Sequence, residues 1–300
     1  MRFLTIHTTT YNRGYILGKA YESLCAQTCK DFEWIITDDG SMDNTEELVH
    51  GWQQKDNGFP IVYNKLPHGG SPRALNYGIS IASTPWFMML DSDDHLKPET
   101  IEKVIPWVEE IKDIPMMAGI GFARCFPDGR YMKNQEPLID SQVGYVDVGS
   151  HRRMEFNLNM EMCEVIRLDV YKQFPYEVWP TETFAPEQIS HYKMGMAGYK
   201  LRWRADRLYV CDYRPDGLTR DNTIVMHNPM GYAMMYNQLQ IVDKSFKARF
   251  NDALQFVALS FVADNPSYIL KTENAWMTVL ALPFGLVLAV RRYFQFKKMK

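Results

Sequence analysis

The sequence predicts an α/β protein: a doubly wound, mostly parallel sheet flanked by helices, with a C-terminal helical extension. Three observations carry that reading. Through the first third of the chain, short apolar runs alternate with segments of helical periodicity, the pattern that lays strands in parallel with crossover helices between them. Trp86 to Leu90 is an apolar run that passes straight into Asp91, Asp93 and Asp94. It suits a strand buried on both faces whose carboxylates emerge at the carboxyl end, where open α/β sheets hold ligands. Beyond residue 226 the chain turns helical, rich in methionine and aromatic residues, and Ala275 to Val290 is sixteen residues without a charge.

The elements follow in order. Phe3 to Thr8 reads as a strand left by the loop Thr8 to Gly14, and Ile16 to Gln27 places Ile16, Leu17, Ala20 and Leu24 at helical spacing. Phe32 to Thr37 is a second strand ending in Asp38-Asp39-Gly40-Ser41. Asp43-Asn44-Thr45 opens a helix with Glu46 and Glu47 in its first turn, where carboxylates complement the helix dipole. Ile61 to Asn64 is a third strand. His68-Gly69-Gly70-Ser71-Pro72-Arg73 is a glycine loop with one cation, Ser71 a cap and Pro72 the opening of a helix through Ile81. After the Trp86 strand, Thr100 to Ile111 reads as a helix and Met116 to Cys125 as a strand. Phe126 to Arg130 has hairpin-turn composition, and residues 131–160, with no clear period, are expected to include a mobile loop near the substrate. Tyr209 to Tyr213 is a further strand and Gly231 to Phe261 a helical stretch.

At 46% hydrophobic and 23% charged residues the chain buries a core and is not disordered. A net charge of −3 gives no electrostatic case for nucleic acid. Cys25 and Cys29 are four apart with no second pair at zinc spacing, so the five cysteines read as reduced, buried thiols of a cytosolic protein. Neither a G-x-G-x-x-G after the first strand nor a P-loop is present, which disfavours a dinucleotide fold.

The chemistry-bearing residues gather at predicted strand ends. Asp91 and Asp93 form a D-x-D, and the sequence offers no Lys or Arg beside them before Lys97. Clustered carboxylates repel, and a hard divalent cation with oxygen ligands offsets that repulsion. Asp38 and Asp39 suit the N–H and O–H donors of a nucleobase or ribose, but the same residues also make an ordinary turn.

Two stretches carry a family resemblance. TTTYNRGYILGKAYESLCAQTCKDFEWIITDDGSMDNT and GGSPRALNYGISIASTPWFMMLDSDDHLKPETI resemble, in order and register, the family 2 glycosyltransferases of the GT-A fold, over about residues 3–105. The resemblance implies a GT-A domain over 1–225, its nucleotide-sugar-binding half at 1–110 and its acceptor half at 111–225, followed by the helical region 226–300. It implies that Thr10, Tyr11 and Arg13 pack on the nucleotide, that Asp38 and Asp39 approach base and ribose, and that Gly70 and Arg73 approach nucleotide and diphosphate. Asp91, on the ribose and metal edge, and Asp93 would hold Mn2+ or Mg2+, with His227 a candidate third ligand. Asp94 would brace the loop. Thr9 departs from the proline usual there, which loosens the loop.

In some bacterial members a Pro-Glu shortly after a Glu-x-Phe carries the catalytic base. Here that makes Glu187 the first choice and Glu182 the reserve, although relatives often place Glu-Asp where this chain has Glu187-Gln188. Glu187 after Pro186 also suits a helix N-terminus. Glu164 and Arg167 either line an acceptor site or form an ion pair, and His191, Tyr192 and Lys193 read as a solvated helix face. Arg214 to Thr219 resembles the segment that closes over the donor.

The implied function is inverting, metal-dependent transfer from a nucleotide sugar, UDP-linked, to a glycan or polyprenyl-linked saccharide in bacterial surface polysaccharide synthesis. A nucleotidyltransferase would need a glycine- and arginine-rich loop after the first strand, which TTTYNRG is not. A non-catalytic nucleotide-sugar binder would not need the intact carboxylates. The uncharged segment followed by Arg291, Arg292, Lys297, Lys298 and Lys300 fits peripheral contact of 275–300 with the cytoplasmic face of the cell membrane. A buried terminal helix is the alternative.

Overall fold

A computed structural model describes residues 2–158, 161–212 and 223–299. Nine strands are present among these: β1 (Leu4–Thr10), β2 (Phe32–Asp38), β3 (Ile61–Lys65), β4 (Trp86–Met89), β5 (His95–Leu96), β6 (Met117–Cys125), β7 (Val146–Val148), β8 (Met162–Arg167) and β9 (Lys200–Val210). The helices are α1 (Gly18–Cys25), α2 (Thr45–Gln53), α3 (Ser71–Ile81), α4 (Thr100–Glu109), α5 (Leu168–Tyr171), α6 (Gln188–Met196), α7 (Ile224–His227), α8 (Pro229–Val242), α9 (Phe246–Val262) and α10 (Ala275–Met299). Short 3-10 turns cover Met132–Asn134, Ser150–Phe156 and Pro266–Lys271.

The sheet runs β3-β2-β1-β4-β8-β6-β9-β5, with β7 on β9. From β3 to β4 every pairing is parallel, as the strand–helix alternation requires. Beyond β4 the sheet is mixed: β8 runs antiparallel to β4 and β6, β9 parallel to β6, and β5 and β7 antiparallel to β9. Between β6 and β8 the described chain offers β7 and 3-10 turns in place of a crossover helix, so nothing there enforces parallel pairing. The hairpin turn forms at Phe126–Arg130, where the Gly129 N–H donates to Phe126 O at 2.8 Å.

The chain forms two compact units, Met1–Pro175 with His191–Tyr213, and Tyr176–Ser190 with Arg214–Lys300. In the first, the fully buried Trp34, Phe32, Ile6, Phe87, Phe122 and Trp203 make the sheet core, and Trp52 of α2 packs near Trp34 at 5.8 Å between ring centroids. The second unit also claims residues 176–190, ahead of the boundary that the sequence places at 226. The cause is local: Glu182 caps α8, Asn228 Oδ1 accepts the N–H groups of Thr183 and Phe184, and Trp179 lies edge-on to Tyr268. The helical stretch expected over 231–261 is two helices, broken at Asp243 to Ser245, where Ser245 caps α9 through the Ala248 N–H. Cys125, Cys163 and Cys211 are buried, but Cys25 is exposed and Cys29 half-buried, so the expectation of uniformly buried thiols fails for these two.

Candidate active site

Parallel pairing sets the carboxyl ends of β1, β2 and β4 side by side, with Thr10 opposite Asp38 and His7 opposite Met89. The predicted donor residues of the first unit therefore meet along one edge. Thr10 is buried, and its hydroxyl has no hydrogen-bond partner among the described residues. A buried polar atom left unpaired costs stability unless a ligand or water satisfies it. Tyr11 is exposed and stacks on His68 at 4.3 Å between centroids. Asn12, in the left-handed region at φ 52°, donates its N–H to Ser41 Oγ at 2.8 Å, and Arg13 reaches Tyr15 Oη.

Asp38 and Asp39 are both buried and both committed to the protein. Asp38 Oδ1 accepts the Ser41 N–H and Oδ2 accepts the Tyr63 hydroxyl; burial, then that bond, push the tyrosine well above its usual range. Asp39 accepts the Gly69 and Gly70 N–H groups at 2.8 Å each, and its Oδ2 lies 2.8 Å from His68 Nδ1. These contacts realise the turn role that the sequence left open. Asp39 Oδ2 already faces two donors and Asp38 is fully buried, so Asp39 Oδ1, with one donor, keeps the clearest position for a second. Asp39 thereby shapes the glycine loop. Gly70, not Ser71, is the cap of α3, at a φ of 96° that L side chains rarely adopt, and Arg73 folds back to bond the Gly69 carbonyl.

The acidic cluster after β4 holds the main surprise. The guanidinium of Arg124, from β6, lies 2.6 Å from Asp91 Oδ2 and 3.8 Å from Asp94 Oδ2, and sits 4.2 Å above the Tyr209 ring. The sequence places no Lys or Arg beside these carboxylates before Lys97, and the neutralising cation comes instead from a distant strand. Tyr209 Oη also bonds the Asp91 N–H at 2.8 Å and approaches Asp91 Oδ2 at 3.1 Å. Asp94 is buried and accepts the Asp212 N–H, so it braces the loop as expected. Burial, then the neighbouring Asp91, push its carboxyl up to about 7 against the pull of Arg124. Asp91 and Asp93 remain partly exposed. Among the described residues no three His, Cys, Asp or Glu gather as a preformed metal site. Two carboxylates at a ligand-binding edge fit a magnesium-like ion, which completes its shell with substrate phosphates and water.

In the second unit, Glu187 is partly buried and directly precedes α6, the helix-start position weighed for it. Glu182, the reserve, is fully engaged: its two oxygens accept the Met230 and Gly231 N–H groups at 2.6 and 2.7 Å, capping α8. Burial raises its pKa, and these bonds oppose the rise. His227 ends the short α7 and is exposed, with no ligating cluster around it among the described residues. Residues 214–219, expected over the donor, lie outside the described residues.

Two further expectations change. His191 and Tyr192 are buried rather than solvated. His191 lies 3.9 Å from Glu164 and 3.2 Å from the Tyr171 hydroxyl, and burial lowers its pKa. Glu164 and Arg167 form ion pairs, but with Arg153 and Asp169 rather than with each other. The residues at this edge that the sequence reading did not single out are Arg124, Tyr209 and His68. For Arg124 a signal exists: it is the one charge in the otherwise apolar strand MAGIGFARC, and a buried charge demands a partner.

Known proteins agree with this architecture. The chain is 31% identical over 225 residues to the glycosyltransferase GlyG of Streptococcus pneumoniae, covering 72% of this chain and 73% of that one. Over a shorter stretch, 31% of this chain and 30% of the other, it is 34% identical to the GalNAc(5)-diNAcBac-PP-undecaprenol β-1,3-glucosyltransferase of Campylobacter jejuni. Its fold resembles S. aureus TarS 1-349 in complex with UDP, at a TM-score of 0.61 and 15% identity over 99% of this chain and 90% of that one. It also resembles the mannosyltransferase PcManGT of Pyrobaculum calidifontis in complex with GDP-Man and Mn2+, at a TM-score of 0.53 and 14% identity over 100% and 84% of the two chains. Residues 5–157 match the family described as Glycosyl transferase family 2. The chain belongs to glycosyl transferase family 2.

Proposed function

We propose that this glycosyltransferase is inverting and metal-dependent, and moves a sugar from a UDP-linked donor to a glycan or polyprenyl-linked saccharide during bacterial surface polysaccharide synthesis. The observation that carries the reading is the carboxyl edge itself. There the unpaired Thr10 hydroxyl, the exposed Tyr11 ring, the Asp39-braced glycine loop and the Asp91–Asp93 pair stand on neighbouring strand ends. Thr10, Tyr11, Arg13, Asp38, Asp39, Gly70 and Arg73 hold the nucleotide and its diphosphate. Asp91 and Asp93 would hold Mn2+ or Mg2+, which as a Lewis acid would stabilise charge on the departing diphosphate. Glu187 accepts the acceptor hydroxyl's proton as its oxygen attacks the anomeric carbon, opposite the leaving nucleoside diphosphate.

The printed names of similar proteins support the donor and acceptor classes: TarS with UDP, PcManGT with GDP-Man and Mn2+, and an undecaprenol-linked acceptor for the Campylobacter enzyme. A lipid-linked acceptor agrees with a place on the cytoplasmic face of the cell membrane, reached through residues 275–300. The test is hydrolysis and transfer across a panel of UDP- and GDP-sugars, with manganese and with chelator. Turnover is expected to need the metal and to collapse in Asp93→Ala and Glu187→Gln. Full turnover by Asp93→Ala refutes the metal assignment, and a GDP-sugar preference refutes the donor.

A further inference from the structure

The C-terminal helix is inside out for a helix in water. Its inner face carries Met277, Ala281, Gly285 and Ala289, mostly small and all buried. Met277 and Ala281 pack with Ala253 of α9, and a Cβ on Gly285 would stand 2.6 Å from Val257 Cγ1, so the two helices approach closely. The large apolar side chains point the other way. Trp276, Val279, Phe284, Val287 and Val290 are all exposed, Val279 by 70% and Val287 by 72%. A helix at the surface of a water-soluble protein turns its large apolar residues inward, and a contiguous apolar face left outside marks an interaction surface.

Charge selects the occupant. Lys244 and Lys247 are exposed on either side of Phe246, whose ring lies 6.1 Å from that of Trp276 at the start of the face. Arg291, Lys297 and Lys298 are exposed at its far end, and no acidic residue occurs from Ala275 to Lys300. Asp243 and the exposed Glu273 partly offset Lys244 and Lys247 at the first end, whereas the far end is cationic throughout and repels a second copy laid parallel to it. An anionic lipid surface complements both ends.

Geometry separates lying on the bilayer from crossing it. The helix is long and apolar enough to cross a membrane. Its uninterrupted apolar stretch, however, ends at Val290 and spans only about 24 Å, against a hydrocarbon core of about 30 Å. It is also paired with α9, whose sequence carries Lys247, Arg249 and Asp252; crossing would draw those charges into hydrocarbon. We infer that α10 lies in the plane of an anionic membrane surface, with its Trp276–Val290 outer face in the acyl boundary and the cations at both ends on lipid headgroups. The inference deepens the proposed function, on which it rests for the lipid-linked acceptor.

The test uses the full chain with phosphatidylcholine vesicles, with and without phosphatidylglycerol. Flotation with the anionic vesicles alone is expected, weakened by salt. Lys297→Glu with Lys298→Glu is expected to reduce binding by roughly fivefold or more per residue. Val279→Glu with Val287→Glu should abolish it while leaving donor hydrolysis and melting temperature unchanged, because both side chains face outward. Lipids brominated near the headgroup should quench a Phe284→Trp probe, placed mid-stretch in a Trp276→Phe background, more than lipids brominated at the chain ends, with Trp276→Phe alone as the blank. Strongest quenching from the chain ends means a spanning helix and overturns the inference. So does a dimer in light scattering that the Val279→Glu, Val287→Glu variant dissociates, or equal indifference to both vesicle types. Loss of donor hydrolysis in the unmodified chain would instead count against the proposed function alone.

Discussion

Replacing Arg124 with methionine keeps the stem and removes the charge that the acidic cluster relies on. The two carboxylates compete for it on unequal terms. Asp91 Oδ2 is closer, at 2.6 Å, but that side chain is 45% exposed; Asp94 Oδ2 is at 3.8 Å and only 8% exposed. With a near-surface effective dielectric of about 20, the Asp94 pair is worth at most about 4 kcal/mol, whereas solvent near the bulk value limits the closer Asp91 pair to about 2 kcal/mol. Screening therefore outweighs distance. Removing one partner of a buried pair costs roughly 3–5 kcal/mol, so Arg124→Met is expected to lose about 3 kcal/mol. The assay is urea unfolding at about pH 8.5, above the value of about 7 to which Asp94 is pushed so that its carboxylate is charged, of Arg124→Met, Asp94→Asn, Asp91→Asn and the two double variants, read as double-mutant cycles. Coupling of about 2–3 kcal/mol is expected between Arg124 and Asp94, and under about 1.5 kcal/mol between Arg124 and Asp91. A larger coupling to Asp91, or none to either, would refute the reasoning that burial sets the strength of this cluster.

Other consequences follow from the same structure. Burial holds His7 at a pKa of about 3, so the folded protein leaves it neutral while the unfolded chain protonates it below about 6.5. The stability tied to His7 is complete above pH 6.5 and is lost as pH falls toward 3, by up to about 1.4 kcal/mol per pH unit; His7→Asn should flatten the acid limb of melting temperature against pH. A Cβ on Gly78 would stand 2.1 Å from His7 Nε2. Gly78→Ala is expected to cost about 3 kcal/mol by overpacking, and His7→Ala in the same chain to restore part of it, both by denaturant unfolding. Glu182→Gln and Glu187→Gln should separate: the first lowers the melting temperature by weakening the α8 cap, by about 1–2 kcal/mol, while the second keeps stability and loses transfer.

The sequence by itself determined the alternation of strands and helices through β4 and the order in which Thr10, Asp38–Asp39, Gly70 and Asp91–Asp93 reach one sheet edge. That information is local: hydrophobic period, turn residues and a carboxylate cluster are read within a few positions, and parallel pairing then brings every carboxyl end to one side. Tertiary structure decided what those groups touch. Asp38 is bonded to Tyr63, 25 residues away, and Asp39 to the glycine loop, 30 and 31 residues away. The charge on Asp91 is balanced by Arg124 and its Oδ2 hydrogen-bonded by Tyr209, 33 and 118 residues along the chain. Glu182 became a cap through α8, 48 residues on, and the mixed pairing beyond β4 followed from chain with no crossover period to read. The apolar segment at the C-terminus was visible as composition, yet which side of α10 faces outward depended on α9. Contacts between distant residues carry no local signature, so partner choice, and with it the electrostatics of the acidic cluster, emerged only from the folded chain.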